Sequence, residues 1–213
     1  MKKLAMLFIA LLTVAAQGAV LDTIPGTTEL EGVMISKGGT AKVENPIALT
    51  TVGAGIRKKK VAVIRLNVYV AELLVSDGAK YVRTNEGALS SLDNMQAVAF
   101  QMTFLRTVDA EKVQSSFRDG LDENDEALAR RADVAQFLEA VKNGGEAVEK
   151  GTLRIVAERQ GEKEIVVYEN TKGEAVKIVG AGGFIRALMS IWLGAPADGG
   201  LEDLKENLIK GSN

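Results

Sequence analysis

The chain has 213 residues, with 26 basic and 28 acidic side chains and neither histidine nor cysteine. This slightly acidic balance leaves no electrostatic footprint for nucleic acid. The missing His and Cys exclude Ser-His-Asp and Cys-His catalysis, disulfides and the usual zinc sites, so chemistry would fall to carboxylates, Lys, Arg, Tyr and hydroxyls.

Residues 1–18 read as an export signal. Lys2 and Lys3 form a basic start, and Leu4 to Leu12 is an apolar stretch shorter than the about 20 residues that a membrane span needs. Ala16 and Gly18 supply the small residues of a cleavage zone, with the cut expected after Gly18. With no cysteine after it, a lipid anchor is excluded. The expected division is a signal peptide over 1–18 and one domain over 19–213, periplasmic or secreted, with no stable membrane anchor after cleavage. Without Lys2 and Lys3 the count is 24 basic against 28 acidic residues, a net charge of −4. The remaining length, about 195 residues, suits a single core.

Along that domain, a short strand is expected at Leu30 to Ile35, ending in a Gly38-Gly39 turn, and a second at Pro46 to Val52. From Val61 the chain alternates, with Ala62, Ile64, Leu66, Val68 and Val70 on one face and Val61, Val63, Arg65, Asn67 and Tyr69 on the other. Ala97 to Phe104 is a further strand with Val98, Phe100, Met102 and Phe104 on its apolar face. The period then changes. Val113, Phe117 and Leu121 follow Asp109, an N-cap residue, at helical spacing, and a second helix is expected from about Asp125 to Lys142, stopped by Gly144-Gly145. Three strands near Thr152 to Glu158, Glu164 to Tyr168 and Ala175 to Val179 form a meander, and helices at Phe184 to Leu193 and Asp198 to Ile209 close the chain. This order predicts an α+β domain, an antiparallel sheet covered on one face by helices.

The most suggestive stretch is Gly53-Ala54-Gly55-Ile56-Arg57. Two glycines permit a sharp turn or close approach to a ligand, and the arginine offers a planar fork for a carboxylate. The same residues also read as a plain strand connection whose basic tip continues in Lys58-Lys59-Lys60. A dinucleotide loop is excluded, because the third glycine is missing and a strand follows. Gly180-Ala181-Gly182-Gly183 reads as a turn, Trp192 as core, and the acidic run Asp122 to Glu126 as solvated. Arg65, Asn67 and Tyr69 line either a polar cleft or the watered side of the sheet.

Gly53-Ala54-Gly55-Ile56-Arg57, then Asn67-Val68-Tyr69-Val70-Ala71, Phe104-Leu105-Arg106, Ala110-Glu111-Lys112 and Ser190-Ile191-Trp192-Leu193-Gly194, taken in order, resemble the chalcone isomerase-like family, its exported bacterial members above all. The resemblance implies an open-faced β-sandwich in which a large sheet and a helical layer enclose an apolar cleft. Some members of the family isomerise chalcones and others bind fatty acids. It makes Arg57 the ligand-binding arginine and Tyr69 a second polar contact. Where the catalytic members carry a tyrosine and a threonine, this chain has Asp109 and Ile64. The reading that follows is a non-catalytic binder of a fatty acid or similar amphiphilic carboxylate, with no cofactor and no metal. An isomerase or intramolecular lyase on an unidentified substrate is the alternative, and an envelope interaction protein with no small ligand is a third reading.

Overall fold

The computed structural model describes residues 19–211, so the export signal expected over 1–18 lies outside the described residues. Eight strands form one antiparallel sheet in chain order. They are β1 (Leu21–Leu30), β2 (Val33–Lys42), β3 (Pro46–Val61), β4 (Ile64–Val75), β5 (Ala97–Phe104), β6 (Thr152–Gln160), β7 (Lys163–Glu169) and β8 (Ala175–Ala181). A short helix α1 (Gly87–Ser91) lies between β4 and β5. The pair α2 (Ala110–Asn124) and α3 (Ala132–Asn143) lies between β5 and β6, and α4 (Phe184–Leu193) and α5 (Gly199–Lys210) end the chain. This is the expected α+β, open-faced β-sandwich.

One large core lies between sheet and helices. Alternate residues of the central strands, Leu73 and Val75 on β4 and Val98, Phe100 and Met102 on β5, meet Val113, Phe117 and Leu121 of α2 and almost all of α4. Trp192 stacks on Phe100, ring centroids 4.1 Å apart, and meets Phe117 edge-on at 5.2 Å. Helix α4 is anchored at both ends. Glu164 of β7 accepts the Ile185 N–H at 2.6 Å, and Asn124 at the end of α2 donates to the carbonyls of Ser190 and Ala195.

The second face is closed by the sheet itself, which coils until the start of β1 reaches β6 and β7. Val20 and Leu21 join Leu74, Ala99, Val156 and Val167 in one apolar cluster, and the Val20 N–H donates to Glu169 at 3.1 Å. Directly paired positions on four neighbouring strands carry Glu72, Gln101, Arg154 and Glu169. Glu72 accepts from Gln101 and from both the backbone and hydroxyl of Ser36, and Arg154 pairs with Glu169. These buried charges are matched by hydrogen bonds or by an opposite charge, as burial requires.

Three expectations are corrected. The strand placed at Leu30 to Ile35 spans the turn of a β1–β2 hairpin, where Glu31 and Gly32 have φ of 48° and 78°. The Gly38-Gly39 pair lies inside β2, not at a turn. The helix placed from Asp125 starts only at Ala132, because the Asp125 carboxylate accepts the Ala127 N–H and sets up a turn before a short 3-10 segment, Leu128–Arg130.

The largest correction concerns Gly53 to Arg57, which is the middle of a 16-residue strand and no connection at all. Its glycines serve close approach. Helix α5 lies directly on β3, so that a Cβ on Gly53 would overlap the Leu208 carbonyl and one on Gly55 would come within 2.8 Å of the Asn207 Cβ. Gly53→Ala is therefore expected to lower unfolding free energy by about 1–3 kcal/mol, since backbone cannot yield as a flexible side chain does. Gly199→Ala, at the first turn of α5 with nothing within 4 Å, is expected to raise it by about 0.4–1 kcal/mol. Urea unfolding of the two variants checks both signs.

Candidate functional site

Gly53, Gly55 and Arg57 point the same way from β3, toward the helical layer. The glycines carry α5, and Arg57 emerges beyond them at the N-terminus of that helix. Arg57 is only 3% exposed. Its Nη2 donates to Asp198 Oδ2 at 2.7 Å, and its Nη1 donates to the Lys58 carbonyl. Asp198 is also the N-cap of α5, where its Oδ1 accepts the Gly200 and Leu201 N–H groups, both at 3.0 Å. Lys59 reaches the same carboxylate at 2.7 Å. Burial works against the charge of Asp198, but the hydrogen bonds from Arg57 and Lys59 outweigh it and hold the carboxyl well below the usual range.

Tyr69 is the cross-strand partner of Arg57. It comes to this face through a bulge: Arg57 pairs with Tyr69 but Lys58 pairs with Asn67, leaving Val68 unpaired. The strict alternation expected from Val61 fails there. Leu66, Val68 and Tyr69 all border the cleft described below, and Arg65 and Asn67 do not. The buried Tyr69 hydroxyl accepts from Trp192 Nε1 at 3.0 Å. Burial pushes the phenol up, against the pull of the Arg57 charge and the Trp192 hydrogen bond. The oxygen thus accepts from the core while its proton is retained, and a neutral O–H donor stands beside the guanidinium.

Above these residues a cleft of about 540 Å³ lies between α2 and strands β3 to β5. Leu66, Val68, Phe104, Val113 and Phe117 make its apolar wall; Arg57, Lys59, Tyr69, Arg106 and Lys112 are its hydrogen-bond donors. Its size is that of a small-molecule site, and an apolar wall with a few convergent polar groups is the usual composition of one. A second, more polar cavity of about 510 Å³ opens between α2 and the start of α5 and shares Arg57, Lys59, Ser116 and Asp119 with the first. Asp122, Glu123 and Glu126 of the acidic run border this second cavity.

The structure thus brings the two expected ligand residues, Arg57 and Tyr69, together at one cleft. Asp109 borders the cleft but is held by Lys112 at 2.6 Å, and its carboxylate does not cap α2. Ile64 is 60% exposed and lies outside the cleft lining. Sequence reasoning missed Asp198 as the partner of Arg57, Trp192 as the partner of Tyr69, and Arg106 as a lining residue. Asp198 was legible as the start of a helix, but a pairing across 141 positions leaves no local signal.

Residues 27–209 match a family model described as chalcone isomerase-like. No curated protein matches the chain.

Asp198→Ala strips the cap and leaves Arg57 buried without its counter-charge, and is expected to cost about 3–5 kcal/mol. Asp198→Asn keeps a capping oxygen and costs less. Because the folded-state pKa of Asp198 is depressed, its contribution is complete above the ordinary carboxylate value, about pH 4, and is lost as pH falls through the lower folded value. The stability gap between wild type and Asp198→Asn should therefore stay level from about pH 8 to about pH 5 and narrow in acid, as read by urea unfolding across pH.

Proposed function

The chain belongs to the chalcone isomerase-like family, and we propose that within it this protein is an exported, non-catalytic binder of a fatty acid or similar amphiphilic carboxylate. The observation that carries the reading is the cleft itself: an apolar wall of aliphatic and aromatic side chains with cations and one phenol on its floor and rim. The tail lies against Leu66, Val68, Phe104, Val113 and Phe117. Arg57 and Tyr69 are the polar contacts to the oxygen-bearing end. Each methylene buried contributes about 0.8 kcal/mol and a charge-assisted hydrogen bond about 1.5–3 kcal/mol, so the tail supplies most of the affinity. A pocket packed with side chains would have favoured an interaction protein without a small ligand, and the cleft is open.

The isomerase reading ranks second. Stabilising an enolate or phenolate needs aligned hydrogen-bond donors at the reacting oxygen. Asp109 and Ile64 stand where the catalytic members carry hydroxyls, one of them tied to Lys112 and the other outside the cleft. Export follows the signal read over 1–18 and places the protein in the periplasm or outside the cell.

The test is mass spectrometry of the organic extract of the purified protein beside an Arg57→Ala variant of matched stability. A stoichiometric fatty acid in the wild type that is depleted in the variant is expected. Wild-type protein that arrives empty and takes up no fatty acid on titration would overturn the reading.

A further inference from the structure

Four cations border the cleft: Arg57, Lys59, Arg106 and Lys112. Two carboxylates meet three of them. Arg57 and Lys59 share Asp198, and Lys112 is held by Asp109. Arg106 forms no ion pair among the described residues. Its Nε donates to the Asn67 carbonyl at 2.8 Å, which fixes the plane of the guanidinium and leaves the two Nη groups for another acceptor. The side chain is half-buried and lines the cleft, and its Nη groups are not among the fully buried polar atoms that lack a partner.

The backbone beneath Arg106 is also well held. Phe104 closes β5 opposite Tyr69, and the Leu105 N–H extends the pairing by donating to the Val68 carbonyl at 2.9 Å. Arg106 therefore stands on the β5 flank of the cleft, and Arg57 and Lys59 stand on the β3 flank. Leu66, Val68 and Tyr69 of β4 lie between them. Of the two carboxylates that border the cleft, Asp109 is taken by Lys112. Asp119 also borders the second cavity along with Arg57 and Lys59, which puts it toward the β3 flank.

We propose that Arg106, the one cleft cation with no carboxylate partner among the described residues, is the residue that captures the negative charge of the ligand, while Arg57, ion-paired to Asp198, and Tyr69 donate hydrogen bonds to the same oxygen-bearing end. The inference rests on the binding role proposed above and names the specificity of that site: an ionised head, best a carboxylate, which matches the arginine fork. An anion placed on Arg57 alone would compete with Asp198 and bring two carboxylates together, which disfavours the charge of both. At Arg106 no carboxylate competes. The side chain is pre-oriented by Asn67, so less freedom is lost when the ligand binds.

The experiment titrates the purified protein with dodecanoate and with methyl dodecanoate, by displacement of a fluorescent fatty-acid probe. Wild type, Arg106→Gln, Arg106→Lys and Arg57→Gln are compared, each checked for folding by circular dichroism. Wild type is expected to prefer the acid over the ester by about tenfold or more, the size of one charge-assisted contact. In Arg106→Gln the ratio should fall toward one, and in Arg57→Gln both affinities should drop with the ratio falling less. Should the Gln variant fail to fold, Arg106→Lys, a point charge without the fork, is expected to show a reduced ratio, and an unchanged one overturns the inference. A preference that survives intact in Arg106→Gln overturns the assignment of Arg106 and leaves the binding role standing. Wild type that binds neither molecule overturns the binding role and this inference with it.

Discussion

The contact between Arg57 and Asp198 is the point on which the helical layer and the cleft both depend. A guanidinium this deeply buried is tolerated only with an opposite charge and its hydrogen bonds satisfied. The opposite charge is supplied by the residue that caps α5, so one carboxylate compensates Arg57, accepts from Lys59 and satisfies two amides at the helix start. The arrangement is possible because β3 presents no side chain at Gly53 and Gly55. The helix comes close enough there for its N-terminus to reach the guanidinium. Arg57 borders both cavities, and Asp198 borders the more polar one.

The cleft persists because its back wall is packed independently of any ligand. Tyr69, Phe100, Phe104, Phe117 and Trp192 form a contiguous aromatic group joining β4, β5, α2 and α4. The hydrogen bond from Trp192 to Tyr69 satisfies a buried indole N–H and orients the phenol at the same time. Helix α2 is pressed against α4 at Gly120, where a Cβ would come within 3.0 Å of Ile191, and its end is tied to the α4 terminus by Asn124. Val113 and Phe117 of α2 pack into the core and also border the cleft.

Function on this fold has to be argued from the site, since a shared architecture does not carry one activity. What the site holds is a set of donors: a compensated arginine, a neutral phenol and an arginine whose charge is unmet. Such a set is suited to hold an oxyanion at the end of an apolar body. Of the carboxylates near these donors, Asp109 is bound to Lys112 and Asp198 serves as a helix cap. The second face of the sheet carries a comparable number of charged groups. There Glu72 pairs with Gln101 and Arg154 with Glu169 across neighbouring strands, and the site lies on the opposite, helical face.

The amino-acid sequence by itself determined the elements whose signal is local. The periodicity of Ala97 to Phe104, the helical spacing of Val113, Phe117 and Leu121, the turn residues between the last three strands and the helix starting at Asp198 were all legible, because each depends on neighbours within a turn or a hairpin. With them came the α+β class, and the ordered motifs pointed to Arg57 and Tyr69. Tertiary structure decided the rest. The glycines of β3 read as a break because glycine is permissive, and only the arrival of α5 shows that they mark close packing within a strand. A bulge at Val68 brought Tyr69 to the cleft beside Leu66 and Val68, although the alternation had placed it on the opposite face. Whether a cation's charge is spent depends on carboxylates far away in the chain, so the compensation of Arg57 by Asp198 and the uncompensated charge of Arg106 emerge only when the strands and helices are brought together.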